Sequence, residues 1–134
     1  MNKRLLNIII STLTFSVYAE VYSVIPVETV GFAAGSDKLF YSEIINQLIG
    51  KKQMVVDSAS INKVLEAWEY NLSDIVGYKT KEISFGKMLQ TRYLVFFSFV
   101  WNGKYTLIDV HLTDIQENRI VFQKAYTSDR KSVV

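Results

Sequence analysis

The chain has 134 residues, about half of them hydrophobic, and no cysteine, which suits one domain with one apolar core and excludes a disulfide framework. Fifteen Lys and Arg stand against thirteen Asp and Glu. The basic residues are scattered, so no stripe neutralises a run of phosphates, and nucleic acid is excluded as a partner.

Residues 1–19 have the pattern of a secretory signal peptide. Lys3 and Arg4 make a charged start, Leu5–Val17 is an apolar run, and Val17-Tyr18-Ala19 supplies small residues before a cleavage point. The run is too short for a membrane span. Cleavage is expected between Ala19 and Glu20, giving a periplasmic or secreted protein with no membrane span and no cysteine to carry a lipid anchor. Loss of Lys3 and Arg4 leaves thirteen basic against thirteen acidic residues, a net charge of zero.

From Glu20 the run VYSVIPVET has the apolar density of a strand, with the only proline, Pro26, near its end. Gly31–Gly35 is expected to be a loop. Ser36 or Asp37 caps a helix whose Phe40, Ile44 and Leu48, with Leu39 and Ile45, keep helical spacing; Gly50 ends it. Gln53–Asp57 (QMVVD) reads as a short buried strand, and Asp57 or Ser58 caps a second helix with Ile61, Val64, Leu65, Trp68 and Leu72 on one face. A polar connection, Asn71–Lys81, precedes a short helix at Ile83–Gln90.

Two strong strand patterns follow, Tyr93–Trp101 and Lys104–Asp114, joined by Asn102-Gly103, the dipeptide that favours a two-residue hairpin turn. That turn pairs Trp101 with Lys104, Phe99 with Thr106, Phe97 with Ile108, Val95 with Val110 and Tyr93 with Leu112 on one core face. A turn at Gln116–Arg119 leads to a last strand, Ile120–Thr127. The domain is expected over 20–128, with a frayed tail at 129–134. The order strand-helix-strand-helix-helix and three strands predicts an α/β (α+β) fold: a mixed sheet with helices on one face and a carboxyl-terminal antiparallel meander.

The other hairpin face carries Leu94, Phe96, Ser98 and Val100 beside Tyr105, Leu107, Asp109 and His111. It is half apolar and half polar, which suits neither a core nor a solvated surface. Three helices suffice for one sheet face. Leu94, Phe96, Val100, Tyr105, Leu107, Asp109 and His111 are therefore expected to form an open partner-binding patch.

These features in this order carry a family resemblance. VIPV (Val24–Val27), MVVD (Met54–Asp57), INKVLEAWEYNLS (Ile61–Ser73), FGKMLQTRYLV (Phe85–Val95) and LTDIQENRIV (Leu112–Val121) resemble the envelope domain shared by several bacterial proteins. These are the curli-secretion channel protein, the outer-membrane activators of penicillin-binding proteins, flagellar outer-membrane accessory proteins and, more distantly, the amino-terminal domain of the Tol-system translocation protein. Ser58, Phe97 and Asn118 depart from the family pattern, which tends to have arginine, glycine and a turn glycine there. Asparagine tolerates the left-handed conformation such a turn needs.

Catalytic readings are weak. His111 is the sole histidine, and Asp109 two residues away makes a His-carboxylate pair conceivable, but no motif ties a nucleophile to it. Glu66 and Glu69, three apart on a helix, are expected to face solvent. Gly31–Gly35 lacks the lysine and spacing of a phosphate loop, and Trp68 belongs to an apolar stripe. No catalytic, cofactor or metal residue is assigned. The expectation is a non-catalytic, exported protein-binding domain, an accessory or activator subunit of a cell-wall synthase or envelope machine, with an envelope protein as partner and homo-oligomerisation left open. The alternative is a structural subunit of a secretion or surface-organelle assembly, and the outsider a hydrolase using Asp109 and His111.

Overall fold

A computed structural model describes residues 3–13, 18–30, 36–101 and 104–129. Its frame is a five-stranded sheet of β1 (Val21–Val30), β2 (Met54–Val55), β3 (Tyr93–Trp101), β4 (Tyr105–Asp114) and β5 (Arg119–Asp129), in the spatial order β2-β1-β3-β4-β5. β1 is parallel to both β2 and β3, while β3, β4 and β5 form the expected antiparallel meander. Around the sheet lie α1 (Lys3–Leu13), α2 (Ser36–Gly50), α3 (Ser58–Ala67), α4 (Lys79–Met88) and a single 3-10 turn at Leu72–Asp74. The architecture is mixed α/β, as the pattern predicts.

The helices do not share one face. Tyr22, Val24, Tyr93, Val95, Phe97, Phe99, Ile108, Val110 and Leu112 point to a first face, where α2 buries Phe40, Ile44 and Leu48. α1 completes this layer with Leu6, Ile9, Ile10 and Leu13, an i, i+3, i+4, i+7 set that makes one apolar stripe. The Tyr22 hydroxyl donates to the Leu13 carbonyl at the end of α1. On the opposite face Ile25, Leu94 and Phe96 meet Ile61 of α3, Ile83 and Phe85 of α4, and Leu89, Ile75 and Ile115. The expectation of helices on one face fails because α1 and α2 are enough for the first face, and α3 and α4 bury their stripes on the second.

The hairpin keeps its faces but not its expected register. Trp101 pairs with Thr106, Phe99 with Ile108, Phe97 with Val110, Val95 with Leu112 and Tyr93 with Asp114. Every pair is displaced by two residues from the register a two-residue turn imposes, and a slip of two leaves each side chain on its original face. The Asn102-Gly103 turn itself lies outside the described residues, as do the Gly31–Gly35 loop and residues 130–134 of the tail. Asp129 continues β5 rather than fraying.

Local signals place most elements. Asp57 caps α3, its Oδ1 accepting from the Ser60 amide at 2.7 Å. Pro26 sits at a β-bulge beyond the two residues that β2 pairs, where a missing donor is tolerated. β2 is an edge strand with Met54 exposed, not a buried one. α2 runs through Gly50, and its chain reverses at Lys52, whose φ is 63°.

Candidate functional site

The second sheet face changes character along its length. Beneath α3 and α4 it is core: Leu94 and Phe96 are 0% and 1% exposed, so neither belongs to a surface patch. His111, in the same row as Phe96, is also buried. Its Nε2 lies 2.9 Å from Glu82 Oε1, and since a carboxylate only accepts, the imidazole donates. Thr113 Oγ1 donates to the same oxygen at 2.7 Å, and the Gly77 amide donates to Oε2 at 2.8 Å. Burial pushes the Glu82 carboxyl up, but the bonds from His111, Thr113 and Gly77 together outweigh it and hold the group below its ordinary value. The network joins the loop before α4, α4 itself and β4. His111 is thus a structural partner of Glu82, not of Asp109, and the sequence offered no pattern that pairs them.

One row further toward the hairpin tip the cover ends. Glu28, Ser98, Asp109 and Ala125 lie side by side on β1, β3, β4 and β5, with Glu28, Asp109 and Ala125 exposed. The next row holds Val100, Leu107 and Thr127. Leu107 is 38% and Tyr105 41% exposed, and Lys104 Nζ lies 5.3 Å from the Tyr105 ring centroid. Of the seven residues expected in the patch, the structure leaves Tyr105, Leu107 and Asp109 exposed and Val100 half-buried, and adds exposed Glu28. No described residue forms an ion pair or hydrogen bond with the side-chain carboxylate of Glu28 or Asp109. The strip therefore combines apolar side chains with uncompensated negative charge.

Other features are less suited to recognition. An open cleft of about 520 Å³ at the start of β1 and β3 is lined by Glu20, Lys87, Gln90, Arg92 and Gln116 among others. Its Arg92 is committed: Nε and Nη2 donate to the two Asp114 oxygens at 2.9 and 3.1 Å, and Nη1 to Gln116 at 2.8 Å. That fork pins β3 to the end of β4. Trp68 is not core, being 55% exposed and stacked on Tyr70 where α3 ends. Glu66 and Glu69 face solvent, as expected. Among the described residues no group of His, Asp or Glu could hold a metal ion, and no helix is long and apolar enough to cross a membrane.

No family model and no curated protein matches the chain. Solved structures do. The fold is that of the LpoB carboxyl-terminal domain. The domain from Salmonella enterica superimposes with a TM-score of 0.69 at 12% identity, covering 96% of each chain. The one from Escherichia coli gives 0.68 at 13%, covering 92% of this chain and 94% of that one. Lipoprotein GNA1162 from Neisseria meningitidis gives 0.64 at 10%, with 83% and 81% covered. With 96% of the chain taken in, the Salmonella LpoB match leaves out less than the eleven residues of α1, so the shared fold reaches into that helix.

Proposed function

We propose that the chain is an exported, non-catalytic binding subunit of the bacterial cell envelope, an accessory or activator of a cell-wall synthase or a related envelope machine. It works through the open half of the second sheet face. The observation that carries this reading is the strip of exposed Tyr105, Leu107, Asp109 and Glu28 beside half-buried Val100, on a sheet face whose other half is covered by α3 and α4. Aromatic and aliphatic anchors beside polar groups are the usual centre of a protein interface. The resemblance to envelope domains and the LpoB-type fold support the class of partner. The non-catalytic reading is supported by the commitment of His111 to Glu82, which leaves Asp109 and its neighbour Ser98 without a histidine base.

Replacing Tyr105 and Leu107 together with serine is expected to leave thermal unfolding nearly unchanged and to weaken capture of the envelope partner by about tenfold or more. Capture that is unaffected per folded molecule would place the contact elsewhere. The purified protein is expected to show no turnover of peptidoglycan, peptide or ester substrates.

A further inference from the structure

β5 ends the sheet, and among the described residues nothing pairs with its outer side. It has eleven residues, about twice the usual strand length, and an edge of that length presents a row of unpaired amides and carbonyls. Natural sheets blunt such edges with prolines, charges or bulges. Here there is no proline, the one bulge lies near the strand's start, opposite Leu112 and Thr113, and Lys124 is the only charge in its middle.

We propose that β5 is an acceptor edge that takes an extended segment of the partner as a sixth strand, and that this segment alternates apolar and basic residues. The inference rests on the partner-binding reading above and specifies its mode. An added strand would alternate its side chains between the two faces. On the first face it would meet Phe122 and Tyr126, which are half-buried against the core and call for apolar residues. On the second face it would meet Gln123, Ala125 and Thr127, which are exposed. Ala125 is the low point, and behind it in the same row stands Asp109. Two strand spacings, roughly 10 Å, separate an added strand from β4, a gap that a long basic side chain lying over Ala125 can bridge to the carboxylate. A second copy of β5 does not meet this requirement. Its basic residues Arg119 and Lys124 are in register with Asp114 and Val110, hence on the first face.

The test uses the full chain and two synthetic heptapeptides, one alternating valine with lysine and one alternating valine with glutamate, read by amide hydrogen exchange and titration. The lysine peptide is expected to slow exchange of alternate β5 amides and to bind about tenfold tighter than the glutamate peptide. Methylation of its backbone nitrogens should abolish the protection, and Asp109→Asn should remove most of the charge preference. Perturbation of Tyr105 and Leu107 without protection of β5 would overturn the strand-addition mode while leaving the binding face standing. Protection of β5 that grows with protein concentration in the absence of peptide would assign the edge to a second copy and overturn the proposal, as would equal binding of the two peptides or binding of neither.

Discussion

Glu82 shows how one buried carboxylate can organise several elements. It is fully buried, and its hydrogen bond to His111 spans 29 residues of sequence, a distance at which no periodicity or motif links two side chains. Removing it leaves His111, Thr113 and the Gly77 amide without their acceptor. Glu82→Ala should therefore cost about 3–5 kcal/mol at neutral pH. Since the folded-state pKa lies below the ordinary 4.5, the carboxylate's contribution is present above that value and fades as pH falls through the folded-state one. Urea unfolding of both proteins across acidic pH should show the gap holding above 4.5 and closing beneath it; a gap that widens on acidification would contradict the assignment. Phe97 is the opposite case, fully legible in sequence. Strand alternation alone puts it on the core face, and it is 2% exposed, packed at 5.0 Å on Phe99 and 6.1 Å on Phe40. Phe97→Ala should lose about 3–5 kcal/mol of the roughly 5–15 kcal/mol such a domain has. A loss of a few tenths would mean the aromatic cluster is not assembled as described.

At the level of elements, the sequence shows where helices start better than where they stop. Asp57 announces α3. The chain reversals after α2, α3 and α4 fall instead on Lys52, Glu69 and Gln90, with φ of 63°, 54° and 55°, none of them the glycine or asparagine that usually marks a left-handed terminus. The turn before β5 follows the rule, with Asn118 at φ 53°. A left-handed residue with a Cβ costs about 1–2 kcal/mol, against about 0.5–1 kcal/mol for the extra freedom of an unfolded glycine. Gln90→Gly should thus stabilise by up to about 1 kcal/mol and raise Tm by a few degrees; an unchanged or lowered Tm would mean the Gln90 side chain contributes something the glycine cannot replace. The glycine that α4 does contain works differently. A Cβ at Gly86 would run into the Ile115 side chain, so this position gives up helix propensity to let the chain after β4 close on the helix. The hairpin shows a third kind of limit. Alternation decides faces, whereas turn length decides register, and the two-residue displacement left every face assignment intact.

For the whole molecule, the sequence delivers the strands, their order and the closing meander, but not the distribution of layers. Alternation within β3 states that its two faces differ; it does not say which helix goes to which. With the first segment set aside as a leader, the pattern offers three helices, the number that one face needs. The structure instead seats that segment as α1 on the first face, and so explains why the second face is core under α3 and α4 yet open around Asp109. The exported protein is expected to begin at Glu20, which amino-terminal sequencing checks; a start at Met1 would mean α1 is retained. Each large apolar side chain withdrawn from a core is worth about 1.5–3 kcal/mol, and α1 contributes Leu6, Ile9, Ile10 and Leu13. The chain starting at Glu20 should therefore unfold at lower urea than the full chain, and equal midpoints would show that α1 adds nothing to the core.

The seat of α1 also has a timing. The cluster that takes the helix up also needs β3 and β4, whose core residues run from Tyr93 to Leu112, so it is not complete until about a hundred residues beyond the helix have been made. At roughly 5–20 residues per second, the apolar stripe of α1 stays uncovered for about 5–20 s before its own domain can claim it. Afterwards the same stripe is sealed against the sheet and fastened by the Tyr22 hydroxyl. Were residues 1–19 to act as a leader, as proposed, export would be a race against the chain's own folding, because the segment that addresses the chain is also one that its core takes up.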